Sequence, residues 1–258
     1  MSEDVLLLVG EACSDPLAPR PLAYLSATSR HILTTLRPKL KELRDFRAEV
    51  RALCSKEQHS ISASSLVEAN TLSWSAKHLT LADTTLIGRL LRRGALLRLQ
   101  SLHLGNTHNG NDGVAALVKG LDKGALANLT ELNLGRNNIG DEGMQVFSTA
   151  ISSGALGSLE MLLLGGNQIG DEGIKAFSTA LSSGALASLQ LLGLGGNEIG
   201  DDGMNAFSNA LSSRSLASLN SFSQMGSHRS EPIGKLCRSA FSLILARSFW
   251  TGRDVSSA

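Results

Sequence analysis

Hydrophobic and polar positions repeat every 30 residues through the middle of the chain. The units 128–157, 158–187 and 188–217 align with one another without insertions, and 98–127 keeps the same register. The preceding unit, 68–97, keeps it in outline. A fixed period of this length is typical of a solenoid, in which each unit buries its apolar face against its neighbours. The pattern therefore predicts five stacked units.

Each unit combines two shorter periodicities. Leu132 and Leu134 alternate with polar positions, which predicts a short strand with one buried face. Met144 and Phe147 begin a run of apolar residues at helical spacing, and Gly154 follows it as a helix stop. A strand and a helix in every unit predict an α/β solenoid with a parallel sheet on one side. Because helices are wider than strands, we expect the sheet on the inside of the curve.

These units resemble leucine-rich repeats of the ribonuclease-inhibitor-like class. The resemblance rests on LxxLxLxxNxIGDEG followed by AFSxALxxGAL, and it covers 98–217 strongly and 68–97 weakly. It implies a right-handed α/β horseshoe, with the parallel sheet inside and the helices outside, that binds proteins on its concave face. The repeats also look like those of Ran GTPase-activating proteins.

The stretch GGNQIGDEG, at 165–173, has the glycine spacing of a phosphate-binding loop. It lacks the lysine of such loops, and its two carboxylates would repel phosphate. Close copies lie at 135–143 and 195–203, so we interpret it as part of the architecture. Stacked units would also place its acidic residues in a row, but a row does not surround a calcium ion as its ligands must. We therefore expect no metal site.

The resemblance and the helix pattern give each recurring position of the motif a structural role. In leucine-rich repeats the asparagine turns inward and satisfies backbone groups of the loop. The asparagines of this ladder are Asn137, Asn167 and Asn197. The aspartates that follow are expected to cap the helices. They are Asp141, Asp171 and Asp201. Glycines before them, such as Gly170, are expected to supply conformational freedom at the bend.

Residues that flank the buried leucines point away from the core, and they form columns across the predicted sheet. One of these columns consists of glycine only, including Gly135 and Gly165. The missing side chains would leave the sheet surface flat and let a partner come close to the backbone. Contiguous exposed apolar groups often mark partner sites. Drift among the copies, or coverage by the C-terminal segment, would equally explain the apolar spot. The candidate partner-binding residues are His103, Glu131, Asn133, Met161, Leu163 and Leu191.

The N-terminal region, 1–56, has helical periodicity that is interrupted by SDPLAPRP. A short helix, a proline-rich turn and then PLAYLSATSRHILTTL resemble an F-box. That resemblance implies contact with the linker protein of a cullin-type ubiquitin ligase through residues 4–50. A helical cap on the first repeat is the alternative interpretation. The polar residues 57–67 predict a linker before the repeats, which span 68–217.

The period ends in the C-terminal region, 218–258. SLASLNSF begins a sixth unit, but the following residues lack the asparagine, the isoleucine and the acidic pair. This pattern predicts a degenerate repeat, a capping helix or a disordered tail. A gene-model error over residues 226–258 is a further alternative.

The composition of the chain argues against some classes of function and favours one kind of compartment. A net charge of +1, from 24 basic and 23 acidic side chains, argues against binding to nucleic acid or a membrane surface. Three separated cysteines without a CxxC pair favour a reducing compartment. The acidic N-terminus, with its short apolar run, does not have the pattern of a signal peptide. We expect a cytoplasmic or nuclear protein.

Catalytic motifs are missing from the sequence, which has no GxSxG and no HExxH, and its six histidines are scattered. We expect a monomeric scaffold without cofactors or enzyme activity, which binds a protein partner on the concave face. A ubiquitin-ligase substrate adaptor is one alternative function. A Ran-type GTPase activator is another, and Arg136 is its candidate residue because the next two copies carry Gly166 and Gly196 there.

Overall fold

The computed structural model describes residues 30–55, 62–75, 79–121, 126–212, 218–219 and 221–223. The chain divides into two compact units, Met1–Glu68 and Ala69–Ala258. None of the helices in the described ranges is long and apolar enough to cross a bilayer.

The first unit contains two helices, α1 (Arg30–Ser55) and α2 (Ala63–Val67), which contact each other. Phe46, Val50 and Leu53 are buried at the spacing of one helix face, so α1 is amphipathic. The proline-rich turn and the beginning of the F-box-like segment lie outside the described residues.

Helix α2 lies within residues 57–67, which the sequence predicts to be a linker. Ser62 begins the helix, because its side chain accepts a hydrogen bond from the Ser65 backbone N–H at 3.0 Å. Leu66 is buried, so this segment contributes to the first unit.

The second unit is a solenoid in which six parallel strands alternate with helices. The strands are β1 (Thr71–Ser73), β2 (Ser101–His103), β3 (Glu131–Asn133), β4 (Met161–Leu163), β5 (Leu191–Gly193) and β6 (Ser221–Ser223). The helices are α3 (Leu81–Arg92), α4 (Gly110–Val118), α5 (Asp141–Ser152), α6 (Asp171–Ser182) and α7 (Asp201–Ser212).

Each strand pairs with the next one along the chain, and the register advances by 30 residues at every step. Leu72 is thus opposite Leu102, and Leu102 is opposite Leu132. The sixth strand continues this register beyond the predicted five units. The sixth unit that begins in the sequence therefore extends the sheet, while residues 224–258 lie outside the described part.

The core lies between the sheet and the helices. Leu132, Leu162 and Leu192 are buried from the strands, and Phe147 and Phe177 are buried from the helices. Burial of each such side chain stabilises the fold by about 1.5–3 kcal/mol. The faint first repeat has the same core, because its predicted apolar positions are all buried. They are Leu72, Trp74, Leu79, Ile87 and Leu91.

The helices end as the glycine positions predict. Gly154 and Gly184 have φ angles of 84° and 80°, the left-handed conformation that glycine adopts without strain. The N–H of Gly154 donates to the Ile151 carbonyl at 2.8 Å, which closes the last turn of α5.

A small cavity lies at the second repeat. Leu117 of α4 occupies the place that Phe147 and Phe177 hold in the next two helices. It lines a cavity of about 20 Å³, together with Thr107 and Asn137. This volume has room for about one water molecule.

Candidate functional site

Two columns of side chains run across the face of the sheet that points away from the helices, which we call the sheet face. Strand register places the residues of each column opposite one another, and all eight are half-buried. The first column is Ser101, Glu131, Met161 and Leu191, and the second is His103, Asn133, Leu163 and Gly193.

The polar part of the sheet face contains one close contact between a histidine and a glutamate. Nε2 of His103 lies 3.3 Å from Oε1 of Glu131, and the two side chains are 27% and 28% exposed. That distance suits an ion pair, yet Nε2 has no hydrogen-bond partner among the described residues. We treat the contact as a proximity, because a hydrogen bond also requires alignment of donor and acceptor. Asn133 uses its Oδ1 within its own repeat, where it accepts from the Gly135 N–H at 2.9 Å.

The apolar part of the sheet face lies on β4 and β5. Met161 is level with Leu191, and Leu163 is level with Gly193. A Cβ atom at Gly193 would lie 3.1 Å from Cδ2 of Leu163, so the leucine leans across the glycine. Met161, Leu163 and Leu191 thus lie close together, and their role in partner binding stays a prediction.

The glycine column has a structural role that the sequence analysis missed. A Cβ atom on Gly135 would lie 3.1 Å from the Gly165 carbonyl oxygen, and one on Gly165 would lie 3.0 Å from that of Gly195. The Gly165 carbonyl accepts from the Arg136 N–H at 2.9 Å. The missing side chains therefore let successive repeats approach closely and bond at this edge.

The asparagines form a ladder between repeats. Oδ1 of Asn167 accepts from the N–H groups of Asn137 and Ile139, at 2.8 and 3.1 Å. Its Nδ2 donates to the carbonyls of Leu134 and Leu164, at 3.0 and 2.7 Å. Each side chain thus satisfies backbone groups of its own and the preceding repeat. Asn137 and Asn197 make the same kinds of contact.

Thr107 takes the asparagine position in the second repeat. Its N–H donates to Oδ1 of Asn137 at 2.8 Å. Asn109 donates through Nδ2 to the hydroxyl oxygens of Thr107, at 3.3 Å, and Thr84, at 2.8 Å. The Thr107 hydroxyl donates to the Leu104 carbonyl at 3.2 Å, so it keeps the contact of a ladder asparagine with the backbone of its own repeat.

The prediction that each aspartate caps its own helix is wrong. The N-cap of α5 is Gly140, which makes no side-chain bond, and Asp141 is the first helical residue. Its Oδ1 accepts instead from the N–H groups of Gly170 and Gly173 in the next repeat, at 2.7 and 2.9 Å. Asp141 therefore caps helix α6. Asp171 caps α7 in the same way, through Gly200 and Gly203, and Asp201 begins α7.

The glycines of the motif make room for this aspartate. A Cβ atom at Gly170 would lie 3.1 Å from Oδ2 of Asp141, and one at Gly173 would lie 2.6 Å from its Oδ1. Gly140 and Gly170 have φ angles of −100° and −98°, which other residues also adopt. The expected need for conformational freedom at this bend is therefore wrong, and space is the physical reason for the glycine at 170.

A left-handed backbone position recurs in the loops after strands β2 to β5. Asn106, Arg136, Gly166 and Gly196 have φ angles of 60°, 57°, 73° and 72°. Arg136 is exposed, and a Cβ atom at Gly166 would lie 2.8 Å from its Cγ. The sequence marks Arg136 as different from the next two copies, but it does not reveal this left-handed conformation. Glycine in two of the copies was the available signal.

One member of the acidic row, Glu172, has a basic partner in the chain. Nζ of Lys175 donates to Oε1 of Glu172 at 2.8 Å, and this hydrogen bond raises the pKa of Lys175. Within the described ranges, no cluster of histidine, cysteine or acidic side chains could hold a metal ion.

The repeat pattern agrees with a known family. The chain matches the family described as "Leucine Rich repeat" over residues 125–148, 158–178 and 185–208. These stretches are leucine-rich repeats, and the chain has the α/β solenoid fold of such repeats. The ribonuclease-inhibitor-like class and the F-box-like segment stay predictions.

Two solved structures are similar to this chain. Leiomodin-1 actin-binding site 2 is 11% identical, with a TM-score of 0.42, over 80% of this chain and 92% of that chain. Internalin C2 from Listeria monocytogenes is 17% identical, with a TM-score of 0.32, over 74% of this chain and 88% of that chain. The comparison with curated proteins finds no match.

Proposed function

We propose that this leucine-rich repeat protein is a non-catalytic scaffold that binds a protein partner on its sheet face. The observation that carries this proposal is the apolar group formed by Met161, Leu163 and Leu191 on two adjacent strands. Contiguous apolar groups at a surface often mark partner sites, because a partner removes them from water.

The surroundings of this apolar group support the same proposal. His103, Glu131 and Asn133 lie on the neighbouring strands and are half-buried. Protein interfaces commonly combine an apolar centre with a polar rim. The sheet face offers both within a few strands, on a rigid backbone that the asparagine ladder holds in register.

The experiment uses the full chain with Met161→Asp and Leu191→Asp together. Affinity capture with the unmodified chain, followed by mass spectrometry, first identifies a partner. The double variant should lose that partner, since binding would desolvate two new carboxylates. Its thermal unfolding should change little, because both positions are half-buried and face away from the helices.

Leu81→Asp with Val146→Asp is the matched control. These side chains are 43% and 40% exposed and lie on helices, away from the sheet face. The control variant should keep the partner. Capture of the partner by the sheet-face variant would contradict the proposal, and unfolding of that variant would show that Met161 and Leu191 belong to the core.

Two alternative functions are tested separately. A substrate-recognition adaptor of a cullin-type ubiquitin ligase would bind the ligase linker protein through residues 4–50, which a pull-down with the full chain detects. A Ran-type GTPase activator would use Arg136, whose exposed position in a left-handed loop supports this alternative. A GTP-hydrolysis assay without acceleration would remove it.

A further inference from the structure

The chemistry of the sheet face changes between β3 and β4. The side chains that β2 and β3 place on this face are polar, whereas β4 and β5 contribute apolar side chains and one glycine. Adjacent strands lie about 4.8 Å apart. A single polypeptide segment that crosses the strands therefore contacts both kinds of surface.

Glu131 stands at this boundary, and it is the one acidic side chain on the sheet face within the described strands. Its side chain is 28% exposed, so its carboxylate is partly removed from water. No described residue donates a hydrogen bond to that carboxylate, and the nearby Nε2 of His103 does not meet the geometry of one. A partly buried carboxylate without a hydrogen-bond donor is stabilised most by a donor that also carries a positive charge.

The apolar side chains lie at a defined distance from this carboxylate. Met161 is one strand away from Glu131, and Leu191 is two strands away. These steps correspond to about 4.8 and 9.6 Å, so a side chain seated between Met161 and Leu191 lies about 7 Å from Glu131. In an extended segment, residues two apart point to the same side and lie about 6.6–6.8 Å apart.

We propose that the sheet face recognises an extended protein segment in which a lysine or arginine stands two residues from a large aliphatic residue. The cation meets Glu131, and the aliphatic side chain lies between Met161 and Leu191. This inference rests on the proposed function and adds the chemistry of the partner.

Other partners fit this surface less well. Acidic segments and nucleic acids would bring negative charge to Glu131, and the described strands have no lysine or arginine on the sheet face. A bilayer surface requires a larger apolar face and basic residues around it. The combination of one carboxylate with a few apolar side chains therefore favours a basic and aliphatic segment.

The test follows methyl resonances of the full chain labelled with ¹³C-methyl methionine. The probes are two acetylated peptides, GSKSLSG and GSESLSG, which differ in charge at one position. The Met161 resonance should shift with the lysine peptide, whose affinity should exceed that of the glutamate peptide by about three- to tenfold. Met144 and Met204 are buried in the core, so their resonances serve as internal references.

Glu131→Gln keeps the shape of the side chain and removes its charge, so it should abolish the preference for the lysine peptide. Glu142→Gln, on the exposed surface of α5, should preserve that preference. Equal affinity for both peptides, an unchanged preference in Glu131→Gln, or no shift at Met161 would overturn the inference.

Failure of this inference is distinguishable from failure of the proposed function. If the Met161 resonance shifts equally with both peptides, the sheet face remains a binding surface, but the proposal of a basic partner is wrong. If the variant with both Met161→Asp and Leu191→Asp still captures the partner, the sheet face is not the binding surface and the proposed function is wrong.

Discussion

The second and fourth repeats, 98–127 and 158–187, occupy the same 30-residue frame with different side chains. The fourth has Asn167 in the ladder and Phe177 in the core, whereas the second has Thr107 and Leu117 at those positions. Their strands nevertheless keep the same register with their neighbours. The backbone frame therefore tolerates changes at positions that look essential in the sequence.

The two differences between the second and the fourth repeat have different consequences for packing. The polar change is compensated in part, because the Thr107 hydroxyl still donates to the Leu104 carbonyl of its own repeat at 3.2 Å. The apolar change is not fully compensated, since a cavity remains beside Leu117. Hydrogen-bond partners can come from several neighbouring positions, but the volume of a phenyl ring has no nearby substitute.

The largest effect is expected from Asn167→Ala in the fourth repeat. This change removes four hydrogen bonds and leaves buried backbone groups without partners. The free energy of unfolding should fall by about 3–5 kcal/mol, measured by urea denaturation. Gln168→Ala, at the exposed neighbouring position, is the control and should change stability by less than about 0.5 kcal/mol. Similar losses in both variants would contradict a special role for the ladder.

A smaller effect is expected from Asp141→Ala, which removes the cap on helix α6. The free energy of unfolding should fall by about 1–2 kcal/mol, a typical value for a lost helix cap. Asp141→Asn should cost less, because Asn111 already accepts from the Gly140 N–H at 2.8 Å in the preceding repeat. If both variants are as stable as the unmodified chain, the cross-repeat contact contributes nothing to stability.

The smallest effect is expected from Leu117→Phe, which gives the second repeat the side chain of the later ones. Filling the cavity should raise the free energy of unfolding by about 0.5–1 kcal/mol, again in urea. Leu129→Phe, at a fully buried position, should instead destabilise the fold by about 1–3 kcal/mol. A loss of stability in Leu117→Phe would show that the space beside it does not accept a ring.

Much of the fold is predictable from the sequence because the period itself carries the information. A shift of 30 residues places Leu102, Leu132 and Leu162 on equivalent strands, and the structure buries them together. Even the faint first repeat is predictable, since Leu72 and Trp74 keep their places. The asparagine ladder follows from the family resemblance and from the need to satisfy buried polar groups.

Features that depend on which neighbour a side chain reaches are not predictable in this way. The sequence places Asp141 at a helix start, but only the stacked backbone shows that it reaches Gly170 of the following repeat. On the sheet face, the columns are predictable from alternation along the strands. The lean of Leu163 across Gly193 and the closeness of His103 to Glu131 depend on side-chain conformations that a repeat pattern does not specify.

The contacts between repeats run in opposite directions, which has a consequence for folding during synthesis. The helix start at Gly170 is capped by Asp141, which leaves the ribosome earlier. The loop at Ile139 receives its partner from Asn167, which leaves later. At about 5–20 residues per second, the next repeat takes roughly 1.5–6 s to appear. Each new repeat should therefore complete the one before it, so that folding follows translation with a delay of one repeat.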